Sequence, residues 1–117
     1  MIQCKRVYDA PAENDGYRIL VDRLWPRGIK KEALAFDEWC KALTPSGELR
    51  KAFHSETIDF AAFREAYLQE LAQHQDEGQR VAALGKNQNL TLLYGAKNTR
   101  QNHARVLADW LRQLAES

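Results

Sequence analysis

Two short stretches of this chain are apolar at consecutive positions, and they restrict its possible folds more than any other feature. Tyr17 to Asp22 contains the triplet Ile19-Leu20-Val21, and Leu90 to Tyr94 reads LTLLY after the turn-like run Gly85-Lys86-Asn87-Gln88-Asn89. A strand with one wet face alternates polar and apolar residues. A run without alternation suits a strand covered on both faces, as in a parallel α/β sheet. Ile2 to Tyr8 reads as a further strand of mixed alternation.

Segments with helical signals separate these strands. Thr44-Pro45 has the N-cap and N1 pattern for a helix burying Leu49, Ala52 and Phe53. Asp59 caps a longer helix with the stripe Phe60, Phe63, Tyr67, Leu68 and Leu71, and Ile58 with Phe63 forms a hydrophobic staple. Asp76 with Gln79 is a capping-box variant before Val81 and Leu84, with Gly85 as its C′ glycine. Asp37 to Leu43 is expected to be a short helix carrying Trp39. A final helix from about Thr99 to Ala115 aligns His103, Val106, Leu107, Trp110, Leu111 and Leu114 on one face.

The expected class is therefore α/β: one domain over residues 1–117, with a small, mostly parallel sheet flanked by helices as three α/β/α layers. The eight residues from Asp9 to Gly16 are fewer than the dozen or so that a parallel crossover usually needs. The first two strands either pair antiparallel or flank a third.

Composition removes several classes of function. With 117 residues, 44% of them hydrophobic, the chain can bury one core. Seventeen Lys+Arg against sixteen Asp+Glu leave a formal charge of +1, so there is no strong nucleic-acid signal. No apolar stretch approaches the ~20 residues of a membrane span. The start of the chain has no signal-peptide core, and two isolated cysteines, Cys4 and Cys40, suit a cytoplasmic location. The chain contains no GxGxxG, Walker-type, HExxH or GxSxG motif. His54, His74 and His103 share no metal-ligand spacing with a cysteine or with each other. No metal or cofactor is expected.

Two segments can carry chemistry. Val21-Asp22-Arg23-Leu24-Trp25-Pro26-Arg27-Gly28 leads from an apolar strand into an acid, a base and a loop with a second arginine. Tyr94-Gly95-Ala96-Lys97-Asn98-Thr99-Arg100-Gln101-Asn102-His103 leads from a strand through a polar loop into a helix. Ligands of α/β sheets bind beyond the carboxyl ends of the strands. If the two strands are parallel, both segments reach the same mouth. His103 lies in the first helical turn, where unpaired N–H groups favour anions, and Lys97 and Arg100 flank that turn.

The expected site takes an anionic small molecule, phosphate- or nucleotide-bearing. Asp22 and His103 are the candidate acid/base pair, and Arg23, Arg27, Lys97 and Asn102 the ligand-binding residues. Such a site could support hydrolase or transferase chemistry. The alternative is a non-catalytic protein- or nucleic-acid-binding module. In it, Asp22–Arg23 is a structural ion pair, His103 caps a helix, and Lys97 and Arg100 are solvated charge. Oligomeric state and enzymatic activity stay open.

At these segments the sequence resembles the YeaO-like proteins, the bacterial domain-of-unknown-function family 488. The shared pattern runs through Lys5-Arg6, Tyr8 and Asp15-Gly16-Tyr17-Arg18, then Leu20 to Gly28. It continues in Pro45-Ser46, Glu48-Leu49-Arg50, Phe63-Arg64 and Tyr67, and ends in Thr91 to Tyr94, Ala96-Lys97 and Asn102-His103-Ala104. The resemblance implies a compact α/β fold and no established activity. Longer relatives have a strand ending Asp-Val-Arg and a Cys-His-Arg opening the last helix, which Asp22-Arg23 and Asn102-His103 would match. Asn102 stands where those relatives have cysteine, so the resemblance implies no thiol chemistry. The Asp-plus-Arg strand end is also similar to rhodanese-like domains, whose catalytic cysteine has no counterpart here.

Overall fold

Leu90–Tyr94 is buried at every position, and the sheet is built around it. The structure, a computed structural model, describes residues 1–116. Its strands are β1 (Ile2–Arg6), β2 (Tyr17–Leu20), β3 (Glu38–Trp39) and β4 (Leu90–Tyr94), all parallel and ordered β1-β4-β2-β3. Ile2 and Tyr17 both lie opposite Leu90. The first two strands thus flank a third, the second of the two arrangements open from the sequence. The α-helices are α1 (Gly47–His54), α2 (Phe60–Leu71), α3 (Gln75–Leu84) and α4 (His103–Glu116). The Cα radius of gyration of 13.6 Å is close to the ~13 Å of one domain this long.

Side-chain alternation sorts the core into two clusters. On one face, Ile2, Ile19, Val21, Leu90, Leu92 and Tyr94 pack with Leu49 of α1, Phe63 and Tyr67 of α2, Val81 of α3 and Leu107 and Leu111 of α4. On the other, Leu20 and Leu93 pack with Val7 and Leu34, beside Trp25, Ile29, Phe36 and Trp39. The α/β class and the parallel sheet stand as expected. The layer on the second face is made of loops and short 3-10 turns, whereas all four α-helices share the first.

The chain returns from β1 to β2 without a helix, and a buried charge cluster holds that short crossover down. Asp15 ends a 3-10 turn over Glu13–Asp15, accepts from the Ala12 N–H at 3.1 Å, and pairs with Lys5 at 3.2 Å and with Arg18. Its backbone carbonyl accepts from Thr91 Oγ1 at 2.7 Å. Gly16 follows at φ +65°, where a Cβ would lie 2.1 Å from the Asn89 carbonyl oxygen. Only glycine fits this corner.

Several local expectations give way to tertiary contacts. Asp37 to Leu43 is not a helix. Asp37 N–H donates to Arg18 O and Cys40 N–H to Leu20 O, which makes Glu38–Trp39 an edge strand. α1 is capped by Ser46, whose Oγ accepts from Leu49 N–H at 3.2 Å, so Pro45 lies just outside it. The Asp76/Gln79 box does not form. A 3-10 turn at Ala72–His74 carries α2 directly into α3, and Gly85 closes α3 at φ −85° rather than in the left-handed region. α4 starts at His103, not Thr99, because Asn98 Oδ1 accepts from Arg100 and Gln101 N–H and turns the chain first.

Candidate functional site

β2 and β4 are neighbours, and the chain leaves them in opposite directions. Beyond β2 it passes to the loop-covered face, where Trp25, Ile29 and Leu34 pack. Beyond β4 it passes to the helical face and enters α4. Adjacent parallel strands whose exits diverge leave a crevice at their carboxyl ends. The two polar segments meet in this crevice.

Asp22 and His103 form its centre. Asp22 Oδ2 accepts from Gly95 N–H at 2.9 Å, and a Cβ at position 95 would fall 2.9 Å from that oxygen. Glycine therefore admits the carboxylate to the end of β4. His103 Nε2 lies 2.9 Å from Asp22 Oδ1 and 3.1 Å from the Val21 carbonyl oxygen. Its two neighbours are both acceptors, so Nε2 carries the hydrogen. Hydrogen-bond geometry is met toward Val21. Toward Oδ1 the contact is electrostatic, and that shielded oxygen has no directed donor. Nδ1 makes no hydrogen bond among the described residues.

A cavity of about 500 Å³ opens here. Asp22, Gly95, Lys97 and His103 line it, together with the loop Arg23 to Arg27 and with Pro45, Arg50, Phe53 and His54 at α1. The loop is held firmly. Trp25 packs edge-on against Phe36 and Trp39 at 5.8 and 5.5 Å, Trp39 Nε1 donates to Asp22 O at 2.7 Å, and Tyr8 OH donates to Arg27 O at 2.9 Å. Phe53 stacks on Phe63 at 4.4 Å, giving the cavity an aromatic wall.

The charge around it is unbalanced. Arg23, Arg27, Arg50 and Lys97 line the cavity with no acidic partner among the described residues, and the one carboxylate there already faces a backbone N–H and an imidazole. Three arginines elsewhere are paired: Arg18 with Asp15, Arg80 with Glu38 and Glu77, and Arg112 with Asp109.

All six residues singled out from the sequence line this cavity: Asp22, Arg23, Arg27, Lys97, Asn102 and His103. Asn102 does so as part of the frame. Its Oδ1 accepts from Arg105 N–H at 3.0 Å and its Nδ2 donates to Asn98 O at 2.8 Å, so the buried amide caps α4. Arg100 is not among the lining residues. Sequence reasoning missed Arg50, Phe53 and His54, because a charge on a helix reads as solvated until the helix is placed over the strand ends. Pro45 and Arg50 do occur in the family pattern, which was the available sign. No three His, Cys, Asp or Glu among the described residues are grouped to hold a metal, and no described helix is long and apolar enough to cross a membrane.

Comparison with known proteins adds a family. The family model described as "Inactive DUF488-N3 subclade" matches residues 1–117. "Uncharacterized protein YeaO" of Escherichia coli (strain K12) is 72% identical over 113 residues, covering 97% of this chain and 98% of that protein. "Uncharacterized protein Rv3073c" of Mycobacterium tuberculosis (strain ATCC 25618 / H37Rv) is 34% identical over 110 residues, covering 94% and 92%. No solved structure matches significantly.

Proposed function

Because the chain belongs to the DUF488 family of YeaO-like proteins, we propose that its cavity binds a phosphate-bearing small molecule with a flat apolar part, and binds it without transforming it. The observation that carries this reading is the set of four cations, Arg23, Arg27, Arg50 and Lys97, around a cavity whose single carboxylate is already engaged. Guanidinium groups offer two parallel N–H donors to phosphate oxygens, and the Lys97 ammonium adds a point charge. Trp25 and Phe53 supply flat surface for the uncharged part of the ligand. Two free thiols, Cys4 and Cys40, favour a reducing compartment, so the reading includes a cytoplasmic location.

The absence of turnover follows from the use of the polar groups. Asp22 is a positioning residue for His103 rather than a second acid or base, since its oxygens face Gly95 N–H and the imidazole. No serine, threonine or cysteine is among the described lining residues. The matching family model is of a subclade described as inactive, which agrees with this.

The test is calorimetry and thermal melting with inorganic pyrophosphate and ADP. Both should bind and raise Tm. Arg50→Ala and Lys97→Ala should each weaken binding about tenfold, the equivalent of one lost charge-assisted hydrogen bond. A wild-type protein whose Tm ignores both probes at about 10 mM, far above any useful Kd, overturns the reading.

One observation favours a second reading, proton transfer at His103, a cavity-lining imidazole whose Nδ1 has no hydrogen-bond partner among the described residues. Release of phosphate from ADP by the wild type, abolished in His103→Ala with binding retained, would establish it in place of the first.

A further inference from the structure

A second cavity, of about 430 Å³, adjoins the first. Arg23 lines both, and consecutive residues divide between them: Pro45 lines the first, Thr44 and Ser46 the second. One exposed arginine therefore stands between two spaces of similar size.

Their chemistry differs. The first contains Trp25, Phe53 and Phe63, whereas the second is lined by no Trp, Phe or Tyr. It offers hydrogen-bonding groups of both kinds instead. Glu70 is fixed by accepting from Ser46 N–H at 2.8 Å and Ser46 Oγ at 2.6 Å, and it keeps lone pairs for a further donor. Thr44 Oγ1 donates to Lys41 O at 2.7 Å and keeps its acceptor side. Gln73 and His74 line the space with no hydrogen-bond partner among the described residues. Lys41 adds a charge, its Nζ resting 4.1 Å above the Trp39 ring. A flat-walled, cationic space, a guanidinium at the junction and a donor-and-acceptor space beyond it correspond in order to a base with its phosphates, a bridge and a polyhydroxylated lobe.

We propose that the two cavities together take a single ligand, a nucleoside diphosphate carrying a sugar. The base lies against Trp25 and Phe53, the diphosphate among Arg23, Arg27, Arg50 and Lys97, and the sugar hydroxyls exchange hydrogen bonds with Gln73, His74 and Glu70. This identifies the ligand class of the site and rests on the phosphate-binding reading above.

The experiment is calorimetry on the full chain with four probes: ADP and ADP-glucose, UDP and UDP-glucose. At least one sugar nucleotide should bind about tenfold more tightly than its parent diphosphate, a gain of two or so net hydrogen bonds. Gln73→Ala and His74→Ala, both at exposed positions, should remove that gain while parent affinity stays within about twofold. Arg23→Ala should weaken parent and sugar nucleotide alike. Equal affinity for sugar nucleotide and parent, or an equal loss for both in Gln73→Ala, overturns the two-cavity ligand and leaves the phosphate site standing. Failure of every probe to bind overturns both.

Discussion

Asp15 is 2% exposed and carries a full charge between Lys5 and Arg18. Desolvation pushes its carboxyl upward, but the Ala12 N–H together with Lys5 and Arg18 outweighs that and holds it below its ordinary value of 3.8. A depressed folded value means that ionised Asp15 stabilises the fold fully above about pH 3.8, and that this support is lost as pH falls through the folded value. Asp15→Asn should destabilise the protein by about 3–5 kcal/mol at pH 7, because it leaves buried cations uncompensated. Urea melts at pH 7 and pH 3 test this: the variant should be weaker at pH 7 and should lose less of its stability on acidification. Identical melts at pH 7 would show that the cluster contributes nothing. At this scale the sequence was legible where a residue's role followed from its place in the chain. Asp22 and His103 end a strand and begin a helix, so their meeting needed only parallel strands. Arg50 and Asp15 owe their roles to residues far along the chain or beneath a crossover, which no local pattern encodes.

Among the elements, β4 was legible to the residue because an unbroken apolar run has one comfortable place, the middle of a covered sheet. The Asp59 cap of α2 was equally plain, its carboxylate accepting from Ala62 N–H at 2.9 Å. β3 was illegible because two residues, a glutamate and a tryptophan, become a strand only when β2 offers its edge. The box before α3 failed because the helix has no free N-terminus to cap. The seam between α3 and α4 gives an element-scale test. A Cβ at Gly78 would lie 2.3 Å from the Trp110 ring, so the close approach of these helices depends on the missing side chain. Gly78→Ala gains up to ~1 kcal/mol of helix propensity but overpacks the seam by ~1–3 kcal/mol. The net effect should be a loss of stability of up to about 2 kcal/mol, read as a lower urea midpoint. A higher midpoint would mean that Trp110 moves aside freely.

For the molecule as a whole, a net charge of +1 conceals a local excess. Four cations share one crevice with a single carboxylate, and overall charge could not reveal that clustering. The place of β4 has a separate consequence for how the chain is made. β1 and β2 leave the ribosome early, yet the strand that separates and joins them spans Leu90–Tyr94. Until it emerges, β1 has no sheet neighbour among the described strands. Because chain closure over such a separation precedes any gain from pairing, the sheet should assemble only once Leu90–Tyr94 has emerged. Ribosome-stalled chains in which residues up to about 85 have emerged should be digested by protease as fast as unfolded controls, and protection should arise in one step once the stretch beyond Tyr94 is clear. Early protection would mean that the nascent segment holds itself together by contacts other than those of the finished sheet. Otherwise the growing polypeptide stays exposed to proteases and chaperones until that single segment arrives, and its delivery decides whether everything made before it survives.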